Sequence, residues 1–187
     1  MEQFPHVPPH VCGGMMAEGR APAALCAPLA QLKREHGPLR EQMDAFAREA
    51  AEIGKDGEVA DWSGLLAALK QRVDAFVSEL DPHSEREEGV LFPLMANHIG
   101  RQAGPIAVME YEHYLAKQNL KKFAEAVEQL RGAADAVRAK EIASYALQAH
   151  TVLTEHFRKE EQVLFPMAEN LLNAEEKEQL SRAYGLS

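Results

Sequence analysis

His83-Ser-Glu-Arg-Glu87 and His156-Phe-Arg-Lys-Glu160 each set an imidazole and a carboxylate four residues apart, and His36 and His113 each directly follow a glutamate. Neutral imidazole and carboxylate are ligands for Fe, Mn or Zn, whereas Ca and Mg prefer all-oxygen shells and a thiolate centre would need sulfur, which this set lacks. A single histidine among apolar residues is ordinarily a core ring bonded to a carbonyl. Four histidines and two glutamates held in one layer are a different matter. They exceed what a closed tetrahedral zinc site uses and suit two metals, most naturally two irons, bridged by carboxylates with positions left open.

The elements that must position these groups are helices. From about Leu25 onward Ala, Leu, Glu, Lys, Gln and Arg dominate, and apolar residues recur at alternating steps of three and four. The first stripe runs Leu25, Leu29, Leu32, His36, Leu39, Met43, Phe46, Ala50, Ile53, and the second Trp62, Leu66, Leu69, Val73, Phe76, Leu80, His83, Glu87, Val90, Leu94. The third runs Ile106, Met109, His113, Ala116, Leu120, Phe123, Val127, Leu130, and the fourth Ile142, Tyr145, Ala149, Val152, His156, Glu160, Val163, Met167. Gly54 to Gly57, Gly100 to Pro105 and Gly132 separate them; Asp61 suits a cap, Pro105 a first turn, and Pro93 and Pro166 a kink or an end. Four long helices on short connections predict an all-α, up-down-up-down antiparallel four-helix bundle over residues 25–187, finished by a short helix near Ala174 to Tyr184. Residues 1–24, rich in proline and glycine, read as an irregular arm.

The chain also repeats itself. His83 to Pro93 matches His156 to Pro166 at seven of eleven positions, and Glu35-His36 corresponds to Glu112-His113, so the unit is a helical hairpin present twice. His113 lies 19 residues before Gly132 and His156 19 after Val137; His36 lies 18 before Gly54 and His83 22 after Asp61. At about 1.5 Å per residue the four rings fall within roughly one helical turn of a common level. Two carboxylates buried there need a positive partner, and Lys and Arg are almost absent from the stripes, so a metal supplies the charge. Helix phase selects the carboxylates: four residues advance about 400°, which sets Glu87 and Glu160 over His83 and His156, whereas Glu88 and Glu161 swing off the face. Those two are expected to meet solvent or to orient a ligand from outside, the alternative being Glu161 in place of Glu160.

The doubled His-x-x-x-Glu-Glu-x-Val-Leu-Phe-Pro, each copy preceded by Glu-His on the helix before, resembles the hemerythrin-like HHE cation-binding domains over residues 25–172. The resemblance implies a hemerythrin-like bundle with two non-haem iron ions, oxo- or hydroxo-bridged, and His36, His83, Glu87, His113, His156 and Glu160 as ligands. Oxygen-carrying hemerythrins place a second histidine one turn after the third-helix ligand; here Lys117 stands there, which argues against reversible oxygen carriage. The ligand set is more similar to that of the iron-cluster repair proteins that respond to nitric oxide. Those carry an amino-terminal cysteine-bearing module, of which Cys12 and Cys26 are a weak echo.

Further groups compete for a place. His6, His10 and Cys12 have ligand types at usable spacing, although a solvated arm is the plainer reading. Glu110 forms a Glu-x-x-His with His113 and is at best an extra ligand, while Tyr111, Tyr114 and Tyr145 read as packing and His98 and His150 as surface or outer residues. The balance of 20 basic against 29 acidic residues gives no basic face for nucleic acid. No apolar run spans a membrane, the amino terminus lacks the pattern of a signal, and two cysteines make no disulfide framework, so the expectation is a cytoplasmic protein with reduced thiols. Nucleotide-loop and serine-hydrolase motifs are absent. The leading function is binding or sensing of dioxygen, nitric oxide or peroxide through an open iron position. The alternatives are iron-cluster repair, iron delivery or oxidant turnover by the same site, and a metal-free helical module that binds a partner.

Overall fold

A computed structural model describes residues 24–186. Four long helices carry the fold: α1 (Ala27–Glu52), α2 (Ser63–Arg86), α4 (Pro105–Glu128) and α5 (Ala136–Lys159). Short α3 (Phe92–Ile99) and α6 (Phe165–Leu171) extend α2 and α5, and α7 (Ala174–Ala183) follows. The long helices neighbour one another in the ring order α1, α2, α4, α5, which is the expected antiparallel bundle.

Each connection is chemically specified. Asp61 accepts from the backbone N–H of Ser63 at 2.9 Å and of Ala134 at 3.0 Å, tying the loop before α2 to the loop before α5. Asp61 therefore bonds the first helical residue from one position before the boundary residue Trp62, and also serves as an inter-loop clasp. Gly54 has φ +76°, and a Cβ there would lie 2.7 Å from the carbonyl oxygen of Ala136, so the close pass of this loop over the start of α5 requires glycine. Pro105 opens α4 as expected, whereas α4 ends at Glu128 and leaves Gly132 in the following loop. Asp135 caps α5, and Asn173 with Glu176 forms a capping box on α7.

Pro93 and Pro166 neither end their helices nor stand at a break. Ahead of each, one turn widens to π geometry, Glu87–Leu91 and Glu160–Leu164. Phe92 and Phe165 donate to the carbonyls of Glu87 and Glu160 five residues back, which opens room for the proline ring. The widening also re-phases the apolar stripe. Leu91 and Leu164 turn inward, whereas Val163, expected inside, is 50% exposed and Val90 is only half-buried. In α5 the core likewise selects Ala146 and Leu153, with Tyr145 and Val152 packed at its edge.

Two apolar clusters fill the bundle. One, including Met43, Phe46, Phe76 and Phe123, occupies the end near Trp62; the other, including Leu29, Leu32, Leu91, Phe92, Ile106 and Phe165, occupies the end covered by α7. Between them on every long helix lies the histidine level, with Leu32 and Leu39 flanking His36 and Leu153 and Leu164 flanking His156 and Glu160. The polar layer is thus sealed above and below by hydrocarbon, where a lone charge is costly.

Candidate metal centre

The side chains of His36, His83, Glu87, His113, His156 and Glu160 meet in this layer, none more than 3% exposed. They form two quartets that share both carboxylates: His36, His83, Glu87 and Glu160, and Glu87, His113, His156 and Glu160. Within each quartet the potential ligand atoms all lie within 4.8 Å of one another. Glu160 turns Oε2 toward His36 Nε2 at 3.2 Å and Oε1 toward His156 Nε2 at 3.1 Å. Glu87 sets Oε1 and Oε2 each 3.5 Å from His83 Nε2 and His113 Nε2. Each carboxylate therefore faces one histidine of either quartet, the disposition of a bridging ligand.

A closed cycle of outer carboxylates orients the rings. Glu35 on α1 accepts from His83 Nδ1 at 2.9 Å, Glu88 from His113 Nδ1 at 2.6 Å, Glu112 from His156 Nδ1 at 3.3 Å, and Glu161 from His36 Nδ1 at 2.8 Å. Each is adjacent in sequence to an inward-facing residue and reaches the histidine of the next helix around the ring. A cation holds each in turn: Arg86 bonds Glu35, Lys117 bonds Glu88, Lys159 bonds Glu112, and Arg40 bonds Glu161. Glu88 and Glu161 are thus orienting groups, and Glu161, 23% exposed, stays outside the layer that Glu160 enters.

The donor set fits a metal. With Nδ1–H given to a carboxylate, every Nε2 presents its lone pair inward. His36 Nε2, His83 Nε2 and all four oxygens of Glu87 and Glu160 are buried with no hydrogen-bond partner. His113 Nε2 and His156 Nε2 face each other at 2.8 Å, a separation that requires a cation or a proton between them. Without metal, protons must serve. Burial, with Glu160 beside it, raises the Glu87 carboxyl well above the usual range. Burial also pushes Glu160 up, but the His156 and His36 rings outweigh it and hold Glu160 well below that range. Burial alone would lower His156; the charge of Glu160 and the bond to Glu112 prevail and hold it up at about 9. Burial lowers His83 and His113, against the pull of Glu35 and Glu88. The hydrogen bond from His113 leads the effects that hold Glu88 down to about 2, and for Glu35 burial is outweighed by His83, Gln31 and Arg86, again to about 2.

The other candidates stand apart. Glu110 pairs with Arg101 at 2.5 Å on the surface, and Tyr111 and Tyr114 are 60% and 56% exposed. Tyr145 packs against the core near Trp62. His98 meets Glu176 and His150 meets Asp44, both near the surface. His6, His10 and Cys12 lie outside the described residues. Three further residues take part: Glu35 and Glu112, whose bonding role is signalled by the repeated Glu-His, and Tyr184, whose hydroxyl donates to the carbonyl of Arg86 at 3.1 Å. Replacing Glu35 by Gln is expected to weaken metal binding by roughly 10–100-fold with the fold retained, measured by competition against a chelator of known affinity. An unchanged affinity would mean that His83 is oriented by packing alone.

A four-helix bundle with a buried, twofold-repeated histidine and glutamate layer defines a helical metal-binding domain. The hemerythrin HHE cation-binding domain family matches residues 27–168 and 118–184, and the chain belongs to it. Among curated proteins it is 32% identical over 139 residues to the iron-sulfur cluster repair protein YtfE of Musicola paradisiaca (strain Ech703). It is 34% identical over 142 residues to YtfE of Yersinia pestis (strain Pestoides F) and 33% identical over 142 residues to that of Yersinia pseudotuberculosis serotype O:1b (strain IP 31758). Each match covers 73% of this chain and 62% of the relative, so the chain spans less than two thirds of the relatives' length. No solved structure matches. Among the described residues no helix is long and apolar enough to cross a membrane.

Proposed function

We propose that this chain is a non-haem di-iron protein in which His36 and His83 hold one iron, His113 and His156 hold the other, and Glu87 and Glu160 serve both. The observation that carries this reading is the pair of quartets sharing two buried carboxylates whose four oxygens have no other partner. Two imidazoles and two carboxylate oxygens per metal leave coordination positions free, and iron supplies there the capacity to bind and exchange electrons with dioxygen, nitric oxide or peroxide. The protein's own part is to fix ring tautomers through the outer carboxylates and to keep the layer dry between two apolar clusters.

Binding or sensing of such a small ligand is the first use. Iron delivery in cluster repair is the second, favoured by the curated relatives and by Lys117, which is bonded to Glu88 at the position where an oxygen carrier would need another histidine. Metal analysis of freshly purified protein, with visible spectra before and after exposure to air and to nitric oxide, tests the reading. About two irons per chain and a spectrum that responds to either ligand are expected, because each quartet is a full set of donors for one metal. One zinc, or no metal in protein from iron-fed cells, overturns it.

A further inference from the structure

We propose that the two halves of this site retain metal unequally: the His36 and His83 half keeps its iron, and the His113 and His156 half releases its iron as Fe2+ past the lysines that border it, Lys159 on the α4–α5 face and Lys117 on the α2–α4 face. This rests on the di-iron reading above.

The inner donors of the halves match, two imidazoles and the same two carboxylates, so any difference must lie outside them. It lies in the cations. Both outer carboxylates of the His36 and His83 half are held by arginine, and both of the other half by lysine. Each arginine is itself fixed by an aromatic ring: Arg40 lies 5.5 Å from the centroid of Phe157, and Arg86 lies 5.7 Å from that of Tyr184. Phe157 also stacks on His36 at 4.3 Å, and the Tyr184 hydroxyl bonds the Arg86 carbonyl, so α7 closes this half from outside. A planar guanidinium stacked on a ring is pre-organised, whereas a lysine on a four-carbon stem reorients freely. Among the described residues neither lysine makes a cation–π contact.

The carboxylates held by lysine also border surface grooves. A groove of about 540 Å³ between α4 and α5 is lined by Glu112 and Lys159, and one of about 320 Å³ beside it by Lys159 and Leu164. A third, of about 360 Å³, is lined by Glu88 and Lys117. Both outer carboxylates of the His113 and His156 half thus border grooves, and swinging Lys159 aside frees Glu112, behind which stands His156. Release would break the bonds from Fe2+ to His113 Nε2, His156 Nε2, Glu87 Oε2 and Glu160 Oε1, the four donors that face this half, and would form bonds to donors of the acceptor in their place. The metal would stay ferrous with no electron transferred, and Glu87 Oε1 and Glu160 Oε2 would remain to hold the other iron.

Anaerobic, ferrous-loaded protein mixed with excess ferrozine tests this through the kinetics of iron transfer. Two phases of equal amplitude are expected, with one iron per chain left after the first, and anomalous diffraction of that form should place it between His36 and His83. Lys117→Arg with Lys159→Arg should slow the first phase roughly tenfold, and Arg40→Lys with Arg86→Lys should speed only the second. Two irons leaving in a single phase, or the residual iron lying between His113 and His156, overturns the proposal while leaving the di-iron reading intact. Fewer than two irons at the start overturns both.

Discussion

Removing iron from the protein with a chelator is expected to lower its thermal midpoint by roughly 10–15 °C, and restoring ferrous iron to recover it. Metal held by the folded state alone stabilises it by about 4.1 kcal/mol at a free concentration of 1,000 Kd. In a domain of this size each kcal/mol moves the midpoint by about 2–4 °C. The metal-free layer moreover raises the Glu87 carboxyl well above its range in the unfolded chain, and holds His113 and His156 Nε2 2.8 Å apart. The loss should be local in origin: the cluster around Phe46 and Phe76 makes no use of the metal, so helicity should persist while near-ultraviolet signals from the layer change. Calorimetry on metal-free and reloaded protein checks this. Identical midpoints would show that the metal contributes nothing to folding.

Most of the layer was legible in the sequence because its signal is periodic. A histidine on each of four stripes, at matched distances from the turns, fixes face and level together, and the structure brings those six residues into one place. What the pattern could not show was anything that depends on turning away from that face. Glu35 and Glu112 look like solvated neighbours of a ligand, and only the ring order of the helices reveals that each serves the histidine of the next helix. The π turns are invisible to a rule of three and four because they break it, so the spacing places Val90 and Val163 in the core where the structure buries Leu91 and Leu164. Pro93 and Pro166 are the clue: a proline at such a place suits a kink or an end, and here each follows a widened turn. Tyr184 falls in a polar segment whose contact with α2 is set by how α7 folds back.

Glu87→Gln separates the metal's contribution from the fold's, because its effect should change sign with metal. In loaded protein Gln cannot supply the two anionic oxygens that face His83 and His113, and metal retention should fall by more than about 100-fold, beyond the loss caused by disturbing an orienting group. In metal-free protein the same substitution should stabilise. Burial and Glu160 raise the Glu87 carboxyl well above its ordinary range, so above the unfolded value of 4.5 the folded chain holds a proton that the unfolded chain releases, and stability falls as pH rises through that interval. Gln is neutral at every pH and nearly the same shape, and should raise metal-free stability by on the order of 1–4 kcal/mol at pH 7, with the gain vanishing below pH 4. Glu160→Gln should behave oppositely in metal-free protein, because Glu160 is the charged member and His156 depends on it. Denaturant unfolding of both variants, with and without iron and at pH 4 and 7, gives the comparison. If Glu87→Gln destabilised the metal-free protein, the protonation assigned to Glu87 would be wrong, and the two carboxylates would have to share their proton in the other order.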